Sequence, residues 1–338
     1  MVRVVLLGIL AVTLAFPIRL PVETLTSVGA LPAHLAGRIE EMTACEQGAD
    51  GQFFIFDRRS HTVFASPPAR DQIKAIIQIG AEQGRLLRPT AFDLAEDGTF
   101  VVADAPGSRG RIQVFHATGA SIGGFSLPHR DAPLVVLDGL VLSGVGTLEY
   151  TGRSVLISQP QNGTLVTEYA LDGRTINSFG SLRQTGQEHD PQVHLALNAG
   201  AIVMNPRGGL YYVFLAGRPM FRKYDASGTL LFERHIEGAE TDPYVRAIPT
   251  VWPRRKTPEF AELPLVHPAV RAAAADAQGN LWVALSAPFT YVYDGEGDKR
   301  RTIQFRAAGT VLPTSLSFTR RGEVVVAPGC YLFPTAAK

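Results

Sequence analysis

Short apolar runs separated by glycine-containing turns recur along the whole chain. The six clearest turns are Asp50-Gly51, Asp97-Gly98, Thr151-Gly152, Gly208-Gly209, Gln278-Gly279 and Arg321-Gly322. Each turn is followed by four residues with the composition of a buried strand, at 53–56, 100–103, 155–158, 211–214, 281–284 and 324–327. A hairpin that recurs six times predicts a repeat architecture, in which neighbouring units bury each other's apolar faces.

A second set of glycine turns lies at a nearly constant distance downstream of the first. Gly119, Gly173, Gly228 and Gly297 follow their partner glycines by 21, 21, 20 and 18 residues. In the clearest repeat the two turns separate four strand-like runs, at 90–94, 100–103, 112–115 and 121–125. Alternation in the third run suits a face packed on a neighbouring sheet. The pattern therefore predicts an all-β fold, a six-bladed β-propeller with four-stranded antiparallel blades.

The same repeat carries a family resemblance. Its segments Asp97-Gly98-Thr99-Phe100-Val101-Val102-Ala103-Asp104 and Arg111-Ile112-Gln113-Val114-Phe115, followed by Gly119, resemble an NHL repeat. The resemblance extends over residues 40 to 333, although the third and fourth repeats depart most from the pattern. It implies a six-bladed propeller. Some cytoplasmic NHL propellers bind RNA, a function that the charge and the N-terminus of this chain argue against.

The last repeat lacks an outer strand of its own. It supplies runs at 314–318, 323–327 and 331–333, after which five residues remain. The alternating segment 22–28 has no strand-like neighbour in sequence. We therefore predict that this N-terminal strand completes the sixth blade and closes the ring, because closure removes the unpaired edges.

The first twenty residues have the pattern of a targeting segment. Arg3 precedes an apolar run at 4–16, too short to span a bilayer unaided. Cleavage near Ala15 fits a signal peptide, but no clean A-x-A site is present, so an uncleaved anchor and a buried strand are the alternatives. We predict export to the periplasm or the extracellular space, with residues 21–338 forming one monomeric propeller domain. Cys45 and Cys330 then form a disulfide or remain two buried thiols.

The charge and composition of the chain limit which classes of binding partner we expect. The 338 residues carry a formal net charge of +1, which offers no general attraction for nucleic acid or an anionic membrane surface. Arginine greatly exceeds lysine, which reflects either genome composition or selection for binding carboxylates and phosphates. We expect a protein, peptide or glycan ligand, no nucleic acid, and no membrane contact beyond the possible anchor.

Propeller topology predicts at which end of the ring each loop lies. Loops between second and third strands lie at the same end as the connections between blades, and we call this end the top face. Three of the connections between blades are unusually long: 126–147, 181–197 and 237–268. Arginine and aromatic side chains there suit an anionic or sugar-like ligand, although they also pin long loops or remain solvated. The predicted ligand-binding residues are Arg58, Arg59, Asp104, Arg109, Arg218, Arg222, Trp252, Arg254, Arg255 and Arg271.

A second hypothesis is a metal-assisted lyase or hydrolase near the central channel, so whether the chain is an enzyme stays open. The imidazoles and carboxylates that suit zinc or calcium are His61, Glu188, His189, Asp190, His194 and His267. In the alternative, Asp190-Pro191 makes a turn and the histidines bond the backbone. Two motifs carry little weight: Gly119-Ala120-Ser121-Ile122-Gly123 lies on a strand hairpin rather than a nucleophile elbow, and the sequon Asn162-Gly163-Thr164 is explained by a turn.

Overall fold

The computed structural model describes residues 21–107, 109–128, 147–256 and 262–335, and the backbone of 135–137 and 140–142. The targeting segment 1–20 lies outside the described residues. Within the described part, no helix is long and apolar enough to cross a bilayer.

The described chain forms six antiparallel blades in the predicted order. It begins with β1 (Val22–Thr26) and α1 (Ala33–Ala36). Blade 1 contains β2 (Met42–Gln47), β3 (Phe53–Asp57), β4 (Thr62–Ser66) and β5 (Lys74–Ile77), and blade 2 contains β6 (Ala91–Leu94), β7 (Phe100–Asp104), β8 (Arg111–Phe115) and β9 (Ser121–Ser126). The connection that follows carries β10 (Val135–Leu137) and β11 (Leu140–Leu142).

The remaining blades repeat the same hairpin order. Blade 3 contains β12 (Leu148–Tyr150), β13 (Ser154–Ser158), β14 (Thr164–Ala170) and β15 (Thr175–Ser181), and α2 (Pro191–Asn198) follows it. Blade 4 contains β16 (Gly200–Met204), β17 (Leu210–Phe214), β18 (Met220–Tyr224) and β19 (Leu230–His235), followed by α3 (Asp242–Arg246), β20 (Arg254–Arg255) and β21 (Leu263–Val266). Blade 5 contains β22 (Val270–Ala275), β23 (Leu281–Leu285), β24 (Thr290–Tyr293) and β25 (Lys299–Arg306), with β26 (Thr310–Val311) beside β25. Blade 6 contains β27 (Ser315–Phe318), β28 (Val324–Ala327) and β29 (Tyr331–Phe333).

The apolar runs of the sequence are the second strands of the blades. All five residues of β3, β7, β13, β17 and β23 are buried. A second strand packs against neighbouring blades on both of its faces, so it is apolar throughout rather than alternating. The outer strands are mostly exposed, as β19 illustrates. The core therefore consists of apolar layers between successive blades.

The second set of glycine turns also occurs as predicted. Gly119, Gly173, Gly228 and Gly297 have φ values of 85°, 88°, 87° and 85°. At Gly119 an added Cβ would lie 2.3 Å from the carbonyl oxygen of Ile76 in blade 1. Glycine is required at this turn because the backbone is left-handed and the next blade approaches closely.

The N-terminal segment closes the ring, but β1 pairs with a different blade from the one predicted. It lies parallel to β25 and adds a strand to the outside of blade 5. The chain then crosses to blade 6, where Gly29 forms an antiparallel bridge with Leu332 of β29. The fourth position of blade 6 is thus filled only by this bridge. The absence of an outer strand in the last repeat predicts that an open edge is covered, but it does not specify which of the two neighbouring edges, β25 or β29, the N-terminal strand pairs with.

A disulfide joins the first and last blades. Cys45 of β2 and Cys330, in the hairpin before β29, form this bond with their Cα atoms 5.6 Å apart. Beside it, the hydroxyl of Ser317 in β27 donates to the carbonyl oxygen of Cys45. Of the two alternatives that the sequence left open, the structure shows the disulfide.

The long connections converge on the top of blades 3 and 4. Strand β10 pairs with β11 and, in parallel, with β21, which in turn pairs with β20, so two connections separated by more than 100 residues build one small sheet. Helix α2, from the second connection, lies against β10 and β21. We call α2, α3, β10, β11, β20 and β21 together the cap.

Candidate functional site

An apolar cluster holds the cap to the ring, and polar contacts hold the cap together. Val193, Ala196 and Leu197 of α2 pack against Ala216 of the top hairpin of blade 4, and Trp252 and Val266 belong to the same buried cluster. On the polar side, the carboxylate of Asp190 accepts from the N–H of Val193 and so caps the start of α2. The same carboxylate forms an ion pair with Arg254.

Arg183 fastens blade 3 to blade 4 beneath the cap. Its Nε and Nη2 donate to the carbonyl oxygen of Leu197, Nη2 also donates to that of Ala216, and Nη1 donates to that of Arg218. The guanidinium carbon lies 4.3 Å from the centre of the Phe214 ring. Burial lowers the pKa of Arg183 to about 10, because water is removed from the charged guanidinium. Within the described chain, no carboxylate forms an ion pair with it.

Two further arginines lie beside Arg183. Arg222 of β18 donates from Nε to Glu233 at 2.6 Å and from Nη1 to the carbonyl oxygen of Ser181 at 2.6 Å. Arg218, in the hairpin between β17 and β18, is exposed. Its side chain forms no ion pair with any part of the chain that the structure describes. Positive charge therefore exceeds negative charge at this point.

These groups line one face of a cleft between the cap and blade 4, which we call the cap cleft. Its volume is about 790 Å³. The ionisable side chains of the lining are Arg183, Arg218, Arg222, Glu233 and His235. The apolar lining consists of Leu182, Leu197, Met220, Val245, Ile248, Pro249 and Trp252. The lining thus combines basic and apolar side chains, and Gln184, Thr185 and Gln187 add uncharged polar groups.

The central channel is a separate cavity of about 540 Å³, lined by the inner strands of the six blades. Glu46, Asp93 and Glu149 occupy equivalent positions on the inner strands of blades 1, 2 and 3. Each carboxylate accepts a hydrogen bond from the inner strand of the next blade: Glu46 from the N–H of Leu94, Asp93 from that of Tyr150, and Glu149 from that of Met204. The three groups link four successive blades.

The channel shifts the protonation of these carboxyl groups. Burial raises the pKa of Asp93 to about 7, and backbone hydrogen bonds from Tyr150 and Leu94 oppose the rise. Burial also raises the pKa of Glu46 and of Glu149 well above the usual range, and repulsion by Asp93 adds to the effect on both. Neighbouring carboxylates in a low-dielectric space resist simultaneous ionisation.

The structure brings three of the ten predicted ligand-binding residues into the cap cleft: Arg218, Arg222 and Trp252. Several others have partners within the protein: Arg58 pairs with Glu41, Arg59 with Glu40, buried Asp104 with Arg111, and Arg254 with Asp190. Arg271 lines the central channel and donates from Nε to the carbonyl oxygen of Pro313. Arg109 and Arg255 are exposed.

The six predicted metal ligands do not come together. In the described ranges, no group of three or more histidine, cysteine, aspartate or glutamate side chains is placed to hold a metal ion. Asp190 caps α2, the carboxylate of Glu188 accepts from the N–H groups of Thr185 and Gly186, and Nδ1 of His194 lies 2.7 Å from the hydroxyl of Thr185. His189 and His267 are exposed.

His61 is placed apart from the other predicted ligands, in the turn between β3 and β4. Its Nδ1 is buried and has no hydrogen-bond partner among the described residues. Desolvation lowers the pKa of this imidazole, while the charge of Asp57 acts in the opposite direction. The turn explains the residue's backbone, which has a φ of 54°.

Sequence reasoning missed four residues that shape these two cavities: Arg183, Glu46, Asp93 and Glu149. Arg183 lies within a connection that was singled out for its length, so its position was a usable signal. The three carboxylates share one strand position in three successive repeats, which an alignment of the repeats to each other would have shown.

Comparison with known proteins supports the fold alone. No known family model and no curated protein matches the chain, so the NHL-repeat resemblance is not confirmed. Among solved structures, a gluconolactonase from Xanthomonas campestris is 15% identical, with a TM-score of 0.52 over 94% of this chain and 98% of that one. The WD40 propeller domain of Doa1 is 9% identical, with a TM-score of 0.50 over 92% and 97%. A streptogramin B lyase is 11% identical, with a TM-score of 0.49 over 86% and 91%.

Proposed function

We propose that this chain is an exported binding propeller that holds its ligand in the cap cleft. The observation that carries the proposal is the convergence of three long connections over blades 3 and 4, where two of them and blade 4 line a cleft that contains Arg218, Arg222 and Trp252. Long loops on a rigid ring are a common way to build a binding surface. A concave cleft of about 790 Å³ suits a small organic molecule or the end of a peptide better than the flat face of a folded partner.

Export is supported by two independent features. The apolar segment at 4–16 has the length and flanking charge of a signal sequence. The disulfide between Cys45 and Cys330 belongs to an oxidising compartment, since thiols are kept reduced in the cytosol. We infer a periplasmic or extracellular location.

Binding is favoured over catalysis by the geometry at the rim of the cleft. Thr185 lies 2.7 Å from Nδ1 of His194, and Glu188 lies 3.7 Å from the same nitrogen. A nucleophile–base–acid triad needs the nucleophile and the acid on opposite ring nitrogens. The arrangement instead orders the chain before α2, where Thr185 and Glu188 also accept from backbone N–H groups.

The proposal is tested with N-phenyl-1-naphthylamine, a neutral apolar dye that becomes fluorescent on leaving water. We expect saturable binding to the full protein and quenching of tryptophan emission. The chain has two tryptophans, of which Trp252 lines the cleft and Trp282 is buried in blade 5, where its indole N–H donates to Asp276. Trp252→Phe should therefore remove most of the quenching while dye binding persists.

A matched pair of substitutions locates the dye. Val245 lines the cap cleft, whereas Val251 is 83% exposed and does not line it. Val245→Trp should fill the cleft and weaken dye binding about tenfold or more, since each Å² of apolar dye surface that is no longer buried costs about 25 cal/mol and about 1.4 kcal/mol corresponds to a tenfold change. Val251→Trp adds the same apolar surface outside the cleft and should leave binding unchanged. Equal effects of both variants would contradict the proposal.

A further inference from the structure

We propose that the ligand of the cap cleft carries a carboxylate on an apolar body, either as a free organic acid or as the C-terminus of a peptide. This inference rests on the proposed function and adds the chemical class of the ligand. The carboxylate is inferred from the charges and the open hydrogen-bond donors of the cleft, and the apolar body from its apolar lining residues.

The side chains that line the cleft carry an excess of positive charge. Three guanidinium groups, Arg183, Arg218 and Arg222, line the cleft with one carboxylate, Glu233. Glu233 is engaged by Arg222, so Arg183 and Arg218 retain their charges, a formal excess of two. An anion in the cleft would compensate charges that the protein leaves unpaired within its described residues.

The arginines of the cleft have hydrogen-bond donors that the protein does not use. A guanidinium has five N–H groups, and Arg183 uses four of them on carbonyl oxygens: one from Nε, one from Nη1 and two from Nη2. One N–H of Nη1 is left, and the exposed guanidinium of Arg218 lies in the same lining. Donors of two guanidinium groups therefore line the same cleft, and a guanidinium can bind both oxygens of a carboxylate.

Part of the lining of the cleft is apolar. Trp252 and Leu197 belong to the buried cluster that fixes the cap, and Met220 and Ile248 extend this surface. A bare inorganic anion would gain nothing from these side chains. An anion attached to an alkyl group would bury that group against them and be stabilised by the hydrophobic effect.

The experiment measures displacement of N-phenyl-1-naphthylamine by two matched pairs of compounds. The first pair is octanoate and octanamide, and the second is the peptide acetyl-Ala-Ala-Leu with a free carboxylate or with a C-terminal amide. We expect the charged member of at least one pair to bind about tenfold or more tightly than its neutral partner, as a charge-assisted hydrogen bond implies. Preference within the first pair identifies a free acid, and preference within the second identifies a peptide terminus.

Charge reversal tests the residue behind the preference. Arg218→Glu changes an exposed side chain, so the protein should fold, and it should abolish the preference for the charged compounds while dye binding persists. Arg153→Glu makes the same change at an exposed site in the hairpin between β12 and β13, at the opposite end of the ring, and should have no effect. Equal displacement by charged and neutral compounds, or no displacement by any of them, would overturn the carboxylate inference. Failure of the dye itself to bind would instead overturn the proposed function.

Discussion

The channel carboxyl groups make stability depend on pH in an unusual direction. Asp93 is held with its pKa at about 7, against 3.8 for an unperturbed aspartate. Between these two pKa values the folded protein keeps a proton that the unfolded chain has lost, so the free energy of unfolding falls as pH rises. The raised pKa values of Glu46 and Glu149 act in the same direction. A protein whose carboxylates form favourable ion pairs would show the opposite slope.

The substitution Asp93→Asn removes this charge and keeps its shape. The amide oxygen can still accept from the N–H of Tyr150, so the contact between blades 2 and 3 is preserved. With one pKa unit corresponding to about 1.4 kcal/mol, the linkage relation assigns Asp93 a loss of about 2.6 kcal/mol in unfolding free energy between pH 5 and pH 8. At an unfolding entropy of about 2.1 cal/mol/K per residue for about 300 ordered residues, this equals about 4 °C in melting temperature.

The assay is differential scanning calorimetry of both proteins at pH 5 and pH 8. The variant should gain about 4 °C relative to the natural protein on going from pH 5 to pH 8, because only the natural protein pays for ionising Asp93. Asp97→Asn is the matched control: hydrogen bonds from Thr99 lower the pKa of Asp97, so its removal should cost stability at the higher pH. Identical pH dependence of the natural protein and Asp93→Asn would refute the reasoning.

Two further predictions concern ring closure. The pair Cys45→Ser and Cys330→Ser should lower the unfolding free energy by about 2–5 kcal/mol, since the disulfide constrains a loop of 285 residues, and calorimetry of the natural protein with a reductant should give the same loss. Removing β1 by deleting residues 21–27 should also lower the melting temperature, because the deletion exposes the edge of β25 and removes the ion pair of Glu23 with Arg301. The control variant Glu23→Gln removes only the ion pair and should lower the melting temperature far less. A truncated protein with an unchanged melting temperature would show that β25 needs no covering strand.

The blades themselves could be read from local pattern. A second strand such as β7, apolar throughout and preceded by Asp97-Gly98, is specified by residues within about ten positions of each other. Glycine at Gly119 or Gly173 reports a left-handed turn for the same reason. Because these signals depend only on neighbours along the chain, their repetition was sufficient to predict the number and order of the blades.

The sites required information that no local window contains. Arg183 and Arg218 are 35 residues apart, and Trp252 lies in a third segment, yet all three line one cleft because α2 and β21 pack over the same two blades. Glu46, Asp93 and Glu149 are single carboxylates on separate strands, and only the curvature of the ring places them in one channel, where Asp93 repels the other two. The partner of β1 likewise lies far away in the sequence, since Val22 pairs with Thr302. Sequence was enough for what neighbours along the chain dictate, while charge compensation, burial and edge pairing depend on distances that exist only after the ring has closed.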